Sequence, residues 1–174
     1  MMKILTTQLY GLLQRIATSE EENIEETARL LAQAAAREGT IYFATFGEMQ
    51  SITINAKYAV EPFPSMQVFT EDTKLTSADR VWIITRSSEN EDALALAEKL
   101  SDAFIPFSAT AADPTSDENK LANLAYTYIS LKLSKGLIPA EDGSRVVQPY
   151  ALSAMFVYEA VKMKLDEMLF VEEE

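Results

Sequence analysis

Apolar residues at the start of the chain recur at a helical period. Ile4, Leu5, Leu9, Leu12, Leu13 and Ile16 return every three to four positions, the spacing of one helix face. Thr6, Thr7, Gln8 and Gln14 interrupt the run and no small-residue cleavage site follows it. The segment therefore reads as an amphipathic helix and not as a secretory signal. Ser19 and Glu22 have capping-box spacing, with Glu20 and Glu21 placed where a helix dipole favours negative charge. A second helix is expected from position 20 to about 37, with Gly39 as its stop signal.

Beyond Gly39 the apolar runs become short, aromatic and β-branched. Residues 41–46 (IYFATF), 66–70 (MQVFT), 81–85 (VWIIT), 104–107 (FIPF) and 126–131 (YTYISL) read as strands. Several are apolar on both faces, as strands are when helices cover both sides of a parallel sheet. Residues 89–102 form the clearest intervening helix, with Leu94, Ala97 and Leu100 on one face. This alternation predicts βαβ units with right-handed crossovers. The expected fold is α/β: a three-layer sandwich with a mainly parallel, doubly wound five-stranded sheet, preceded by a helical pair. Residues 135–149 contain Gly136, Pro139, Gly143 and Pro149 and read as a long loop. Residues 150–169 read as a long C-terminal helix, and 172–174 as a solvated tail. The length of 174 residues and the lack of an evident linker fit one domain over 1–174.

Composition removes whole classes of chemistry. The chain has no cysteine, which excludes disulfides, thiolate metal sites and cysteine nucleophiles and fits a reducing cytoplasm. It has no histidine either, so neither a Ser-His-Asp triad nor a histidine-ligated zinc site can be built. Acid–base work would fall to carboxylates, Lys, Tyr or water. The net charge of −12 opposes binding to nucleic acid or anionic membrane. No run of 18 apolar residues suggests a membrane span. A cytoplasmic protein without metal or cofactor is expected.

Ligands of open parallel α/β sheets bind at the carboxyl ends of the strands, and two expected strand ends are unusual. One continues Gly47-Glu48-Met49-Gln50-Ser51, where glycine permits a sharp turn and Ser51 supplies a hydroxyl. The other continues Thr85-Arg86-Ser87-Ser88-Glu89-Asn90 into a helix. Ser88 and Glu91 have capping-box spacing there. Free amides at a helix N-terminus, joined by hydroxyls and by Arg86, would bind an anion in spite of the acidic chain. Such loops also serve as plain caps and turns, and both readings stand at this level.

These two motifs, in this order and with helices before them, resemble the sugar isomerase (SIS) domain family. Its first motif is G-x-G-x-S and its second S-x-S-G-x-T. Met49 stands for the second glycine of the first motif. In the second motif Thr85 stands for a serine, Ser88 for the glycine and Asn90 for the threonine. The segment from Lys120 to Tyr126 is similar to the family's L-A-x-x-A-D stretch. The resemblance spans about residues 4–169. It implies a phosphorylated sugar held by Ser51, Thr85, Ser87 and Asn90, with the backbone at Ser88. It also implies a homodimer or higher homo-oligomer paired through helices.

Within that family, phosphoheptose isomerase uses a glutamate after the first motif, and Glu61 stands here at the matching spacing, ten residues after Ser51. Such a carboxylate could move a proton between C1 and C2 through an enediol. Glu61 reads equally as a solvated helix end before Pro62. The histidine that phosphoheptose isomerase uses near its C-terminal helix has no counterpart. Tyr150 is the polar group in that region, and its ordinary pKa of about 10 suits it poorly to neutral pH. Three functions remain open: an aldose–ketose phosphosugar isomerase, a non-catalytic phosphosugar-sensing module, and an α/β interaction protein whose loops are only caps.

Overall fold

In the computed structural model, which describes residues 1–171, the N-terminal segments form helices α1 (Met2–Ser19) and α2 (Glu21–Ala36). The junction between them is not the capping box that Ser19 and Glu22 suggest. Ser19 is still helical, and Glu20 takes the cap position of α2 without a side-chain cap bond. Its buried carboxylate is drawn instead to Asn23 Nδ2 at 2.8 Å and Lys132 Nζ at 3.0 Å. At the far end of α2, Glu38 takes the left-handed conformation, with φ of 58°. Gly39 is needed for a different reason: a Cβ there would lie 2.0 Å from the Ala78 carbonyl oxygen.

Five strands follow: β1 (Ile41–Thr45), β2 (Met66–Val68), β3 (Arg80–Ile84), β4 (Phe107–Ala111) and β5 (Thr127–Ser130). They pair in parallel in the order β2-β1-β3-β4-β5. Ile41 sits between Met66 and Arg80, Val81 faces Phe107, and Ser108 faces Thr127. The helices that accompany them are α3 (Gln50–Tyr58), α4 (Glu91–Asp102), α5 (Lys120–Leu124) and α6 (Tyr150–Val171).

Strand alternation divides the core into two layers. Phe43, Trp82, Ile84 and Ile129 pack with buried residues of α1, α2, α3 and α6. Val81, Ile83, Phe107 and Ala109 pack with Ala93, Leu96, Ala97 and Leu100 of α4 and Leu121 of α5. The expected three-layer α/β fold with a doubly wound five-stranded sheet is the observed one.

Two expected elements differ. The fourth strand is not 104–107: Phe104 is exposed with φ of 55°, and the strand runs on from Phe107 through Ser108, Ala109, Thr110 and Ala111. Its small and hydroxylic side chains carry no apolar signature, yet its place between β3 and β5 buries all of them. Hydrogen bonds compensate the hydroxyls. Ser108 Oγ lies 2.9 Å from Thr27 Oγ1 and 3.1 Å from Thr127 Oγ1, and Thr110 Oγ1 accepts from Trp82 Nε1 at 2.9 Å. The stretch 135–149 is also not wholly loop. It contains a short antiparallel pair, β6 (Ile138–Pro139) with β7 (Arg145–Val146). Helix α6 begins at Tyr150 as expected and runs to Val171; the expected tail 172–174 lies outside the described residues. Among the described residues no helix is long and apolar enough to cross a membrane.

Candidate functional site

β1 and β3 are neighbours, but their onward connections leave in opposite directions, β1 to β2 on one side and β3 to β4 on the other. Chains that part in this way open a crevice at the carboxyl edge, the switch point where α/β sheets take their ligands. Here the parting segments are the two hydroxyl-bearing loops. Phe46 N–H still donates to Ile84 O at 3.1 Å, and Thr85 N–H to Thr110 O at 3.0 Å. The loops diverge beyond these last ladder bonds.

The β1 loop turns at once. Gly47 has φ of 60°, the left-handed region, while a Cβ there would meet nothing within 4 Å. Glycine is needed for backbone conformation and not for room. Gly47–Met49 form one 3₁₀ turn that feeds α3, and the first amides of such a turn have no intrahelical acceptor. Met49, at the position of the resembled family's second glycine, points into the core and is fully buried. Ser51 Oγ donates back to Glu48 O at 2.8 Å.

The β3 loop is tied into itself. Asn90, not Ser88, caps α4: its Oδ1 accepts from Ala93 N–H at 2.9 Å. Ser87 organises the turn, its Oγ accepting from Glu89 N–H at 3.1 Å and its carbonyl from Asn90 N–H at 3.2 Å. Thr85 is buried and its hydroxyl donates to Ser87 O at 3.3 Å. The Ser88 amide is also engaged: it donates to Asp113 Oδ2 at 2.6 Å. Asp113 follows β4, and its carbonyl accepts from Tyr128 Oη at 2.7 Å. The neighbouring Ala112 N–H donates to Arg86 O at 2.9 Å. The free helix-end amides expected at this loop are therefore largely satisfied internally.

The pocket between the loops measures about 190 Å³ and is lined by Phe46, Gly47, Glu48, Thr85, Arg86, Ser87, Glu89 and Asn90. Five of the expected site residues thus meet here: Gly47, Thr85, Arg86, Ser87 and Asn90. Arg86 is the one cation among them. Its guanidinium lies 3.7 Å from a Glu48 oxygen and 5.8 Å from the centroid of the Tyr150 ring, within cation–π range. Ser51 and Ser88 do not line the pocket.

Glu61 is elsewhere. It follows α3, whose nine residues run from the carboxyl edge towards the start of β2, a length of about 13 Å. Its side chain is 85% exposed and lies 3.9 Å from Lys162 Nζ. Lys162 is itself buried and bound to Asp166 at 2.6 Å. These three line a wider, open groove of about 980 Å³ beside α6, which also carries Ile24, Phe156 and Met163. Among the described residues no cluster of carboxylates is arranged to hold a metal ion.

Three residues, Glu48, Glu89 and Asp113, escape the sequence reading of the site, and a fourth, Tyr150, enters it only as a poor acid–base candidate and not as a neighbour of Arg86. Glu48 and Glu89 lie in the motifs but count there only as spacers. Tyr150 reaches Arg86 because α6 begins beside the β1 turn. Asp113 belongs to the end of β4, and the sequence Ala111-Ala112-Asp113-Pro114 would have marked it as a strand-end residue once that strand was placed four residues later.

Comparison with known proteins gives three results. A family model described as a domain of unknown function (DUF2529) matches residues 1–169. A Bacillus subtilis (strain 168) protein, the uncharacterized protein YwjG, is 35% identical over 173 residues, covering 97% of this chain and 98% of the relative. Solved structures share the fold at low identity. A proposed phosphosugar isomerase involved in capsule formation from Bacteroides fragilis NCTC 9343 superposes with a TM-score of 0.66 at 14% identity, over 95% of this chain and 91% of that one. The Vibrio vulnificus NanR protein complexed with ManNAc-6P does so with 0.61 at 15% identity, over 95% and 66%.

Proposed function

The chain belongs to the DUF2529 family, and we propose that it is a phosphosugar-binding protein of the SIS type whose ligand phosphate enters the crevice between the β1 and β3 loops. One observation carries this reading. The 190 Å³ pocket lies at the β1/β3 switch point and joins a left-handed glycine turn, two hydroxyls, a cap asparagine and a half-free arginine. Fold neighbours that include a ManNAc-6P complex support it. In this arrangement Arg86 exchanges Glu48 for the phosphate, and the amides of the Gly47 turn and the Ser87 hydroxyl donate to it, while Asp113 holds the β3 loop in place by accepting from the Ser88 amide.

Binding without turnover is the form the geometry favours. A phosphoheptose isomerase-like reaction would need Glu61 near the sugar carbons, and its carboxylate faces Lys162 on another groove. The chain also has no histidine to serve as its partner. A homodimer or higher homo-oligomer belongs to the same proposal. It would use the exposed Leu152, Met163 and Phe170 of α6, and sedimentation tests it.

Thermal denaturation with inorganic phosphate and with hexose and pentose monophosphates tests the binding. A ligand present at about 100 times its Kd adds about 2.7 kcal/mol of stability, several degrees in a chain of this length. If no phosphate compound shifts Tm, the reading fails. Incorporation of solvent deuterium at C2 of a bound sugar phosphate would overturn the non-catalytic form and restore the isomerase.

A further inference from the structure

The pocket between the loops is too small for a whole sugar phosphate. Its 190 Å³ suits a phosphate group, whereas sites for whole small molecules run from about 300 to 1,000 Å³. A second cavity of about 470 Å³ opens beside it along the same edge, and Phe46 is a wall of both. This cavity has a cause in the topology. The connection from β2 to β3 contains no helix, so α4 has no helical neighbour over β1 and β2. Ala44 of β1, Leu96 of α4 and Phe69, just past β2, join Phe46 as the apolar lining of the cavity.

The polar groups of the cavity have one dominant sign. Glu71 follows β2, and Asp92 lies in the first turn of α4, two residues after Asn90 of the phosphate pocket. Neither carboxylate has an ion-pair partner among the described residues. Lys99, two turns along α4, is the one cation in the lining. Ionised carboxylates only accept hydrogen bonds, so they suit hydroxyl or ammonium groups of a ligand. They repel a second phosphate or a carboxylate. The half-buried rings of Phe46 and Phe69 offer apolar faces to the C–H surface of a sugar.

We infer that this cavity holds the hydroxyl-bearing body of the ligand and restricts the site to sugar monophosphates; the inference rests on the phosphate reading above. The phosphate sits between the β1 and β3 loops, and the carbon chain passes Phe46 towards Glu71 and Asp92. Bisphosphates and phosphorylated sugar acids are excluded by charge.

Titration calorimetry on the full chain tests this with four probes: inorganic phosphate, glucose 6-phosphate, arabinose 5-phosphate and fructose 1,6-bisphosphate. Ala95 lies exposed on the α4 face that lines the cavity, so Ala95→Trp fills it at little cost to the helix. The wild type is expected to bind at least one monophosphate about tenfold or more tightly than inorganic phosphate, and the bisphosphate no better than inorganic phosphate. Ala95→Trp should abolish the advantage of the monophosphate and leave inorganic phosphate binding unchanged. The double variant Glu71→Gln/Asp92→Asn should admit the bisphosphate. If phosphate binds but the monophosphate advantage survives Ala95→Trp, or if the bisphosphate binds best to the wild type, the inference is overturned and the phosphate site stands. If no probe binds, the phosphate reading falls and takes the inference with it.

Discussion

Two arginines bracket β3, and their surroundings are opposite. Arg80 opens the strand at the amino edge and is 2% exposed. Its Nε and Nη2 donate to Gln33 Oε1 at 3.1 and 3.0 Å, and its Nη1 donates to the carbonyls of Ser77 and Asp79 at 2.9 and 2.6 Å. Burial draws its guanidinium below the ordinary value; nearby Arg37 adds to this and Asp79 opposes it. Arg86 follows the strand at the carboxyl edge with its side chain 61% exposed. Among the described residues its guanidinium is held by a 3.7 Å approach to Glu48 and by the Tyr150 ring alone. The difference is one of available donors. An arginine whose N–H groups are consumed by carbonyls closes an edge of the sheet. One with loosely held N–H groups can turn to a ligand, because exchanging a weak surface pair costs little.

Variants at the two ends make the comparison breakable. The largest effect is expected from Arg80→Met, which leaves the Gln33 side-chain oxygen and two carbonyls without their donor. A loss of about 2–4 kcal/mol follows, read as a fall in Tm of roughly 5–15 °C. An unchanged Tm would remove the structural role assigned to the amino edge. Arg86→Ala should reverse the profile. Stability stays within about 0.5 kcal/mol, while inorganic phosphate binding weakens by an amount equivalent to about 1.5–3 kcal/mol, the worth of a charge-assisted hydrogen bond. If both variants lose only stability, the two arginines are alike and the site has no anion anchor.

Asp113→Ala lies between these extremes, because it touches the site only through the Ser88 amide. Leaving that amide without its acceptor costs about 1–2 kcal/mol. Asp113→Asn, which keeps an oxygen, should recover most of it. The smallest effect at neutral pH is expected at Tyr158, deep in the core. Burial and the charge of Glu159 push its hydroxyl up from the ordinary value to about 12. Burial raises the Tyr128 hydroxyl as well. Between pH 10 and 12 the folded chain keeps protons that the unfolded chain has released, so stability must fall as pH rises through this window. Tyr158→Phe removes a buried hydroxyl that has no hydrogen-bond partner among the described residues. It should change neutral-pH stability by no more than about 1 kcal/mol and flatten the alkaline decline, as denaturation against pH would show.

The candidate site was legible in part. Gly47, Thr85, Arg86, Ser87 and Asn90 follow from two strand ends whose strands are apolar and easily placed, and the pocket between the loops contains all five. Asp113 was hidden because β4 beyond Phe107 is built from serine, threonine and alanine, which look like loop until a sheet buries them. The capping boxes at Ser19 and Ser88 failed for a related reason. Each pattern is satisfied locally on paper, but α1 runs on through Ser19, and Asp113, distant in sequence, captures the Ser88 amide. Glu61 matched a spacing, but a helix of nine residues separates its surroundings from the β1 turn.

By itself, the sequence determined the helical pair, the parallel α/β class, the long last helix and the two hydroxyl-bearing loops that follow strands. These depend on periods of two and 3.6 residues and on glycine's freedom of φ, which act over a few neighbours. Only the tertiary structure decided that β1 and β3 lie side by side, so that Gly47 faces Arg86. It also decided that Tyr150 arrives beside Arg86 from a helix distant in sequence, and that the lack of a helix between β2 and β3 leaves a cavity beside the pocket between the loops. Strand order and side-chain capture are set by burial and hydrogen bonding between segments far apart in the chain, and no local pattern encodes which of the two arginines at the ends of β3 will be closed in and which left open.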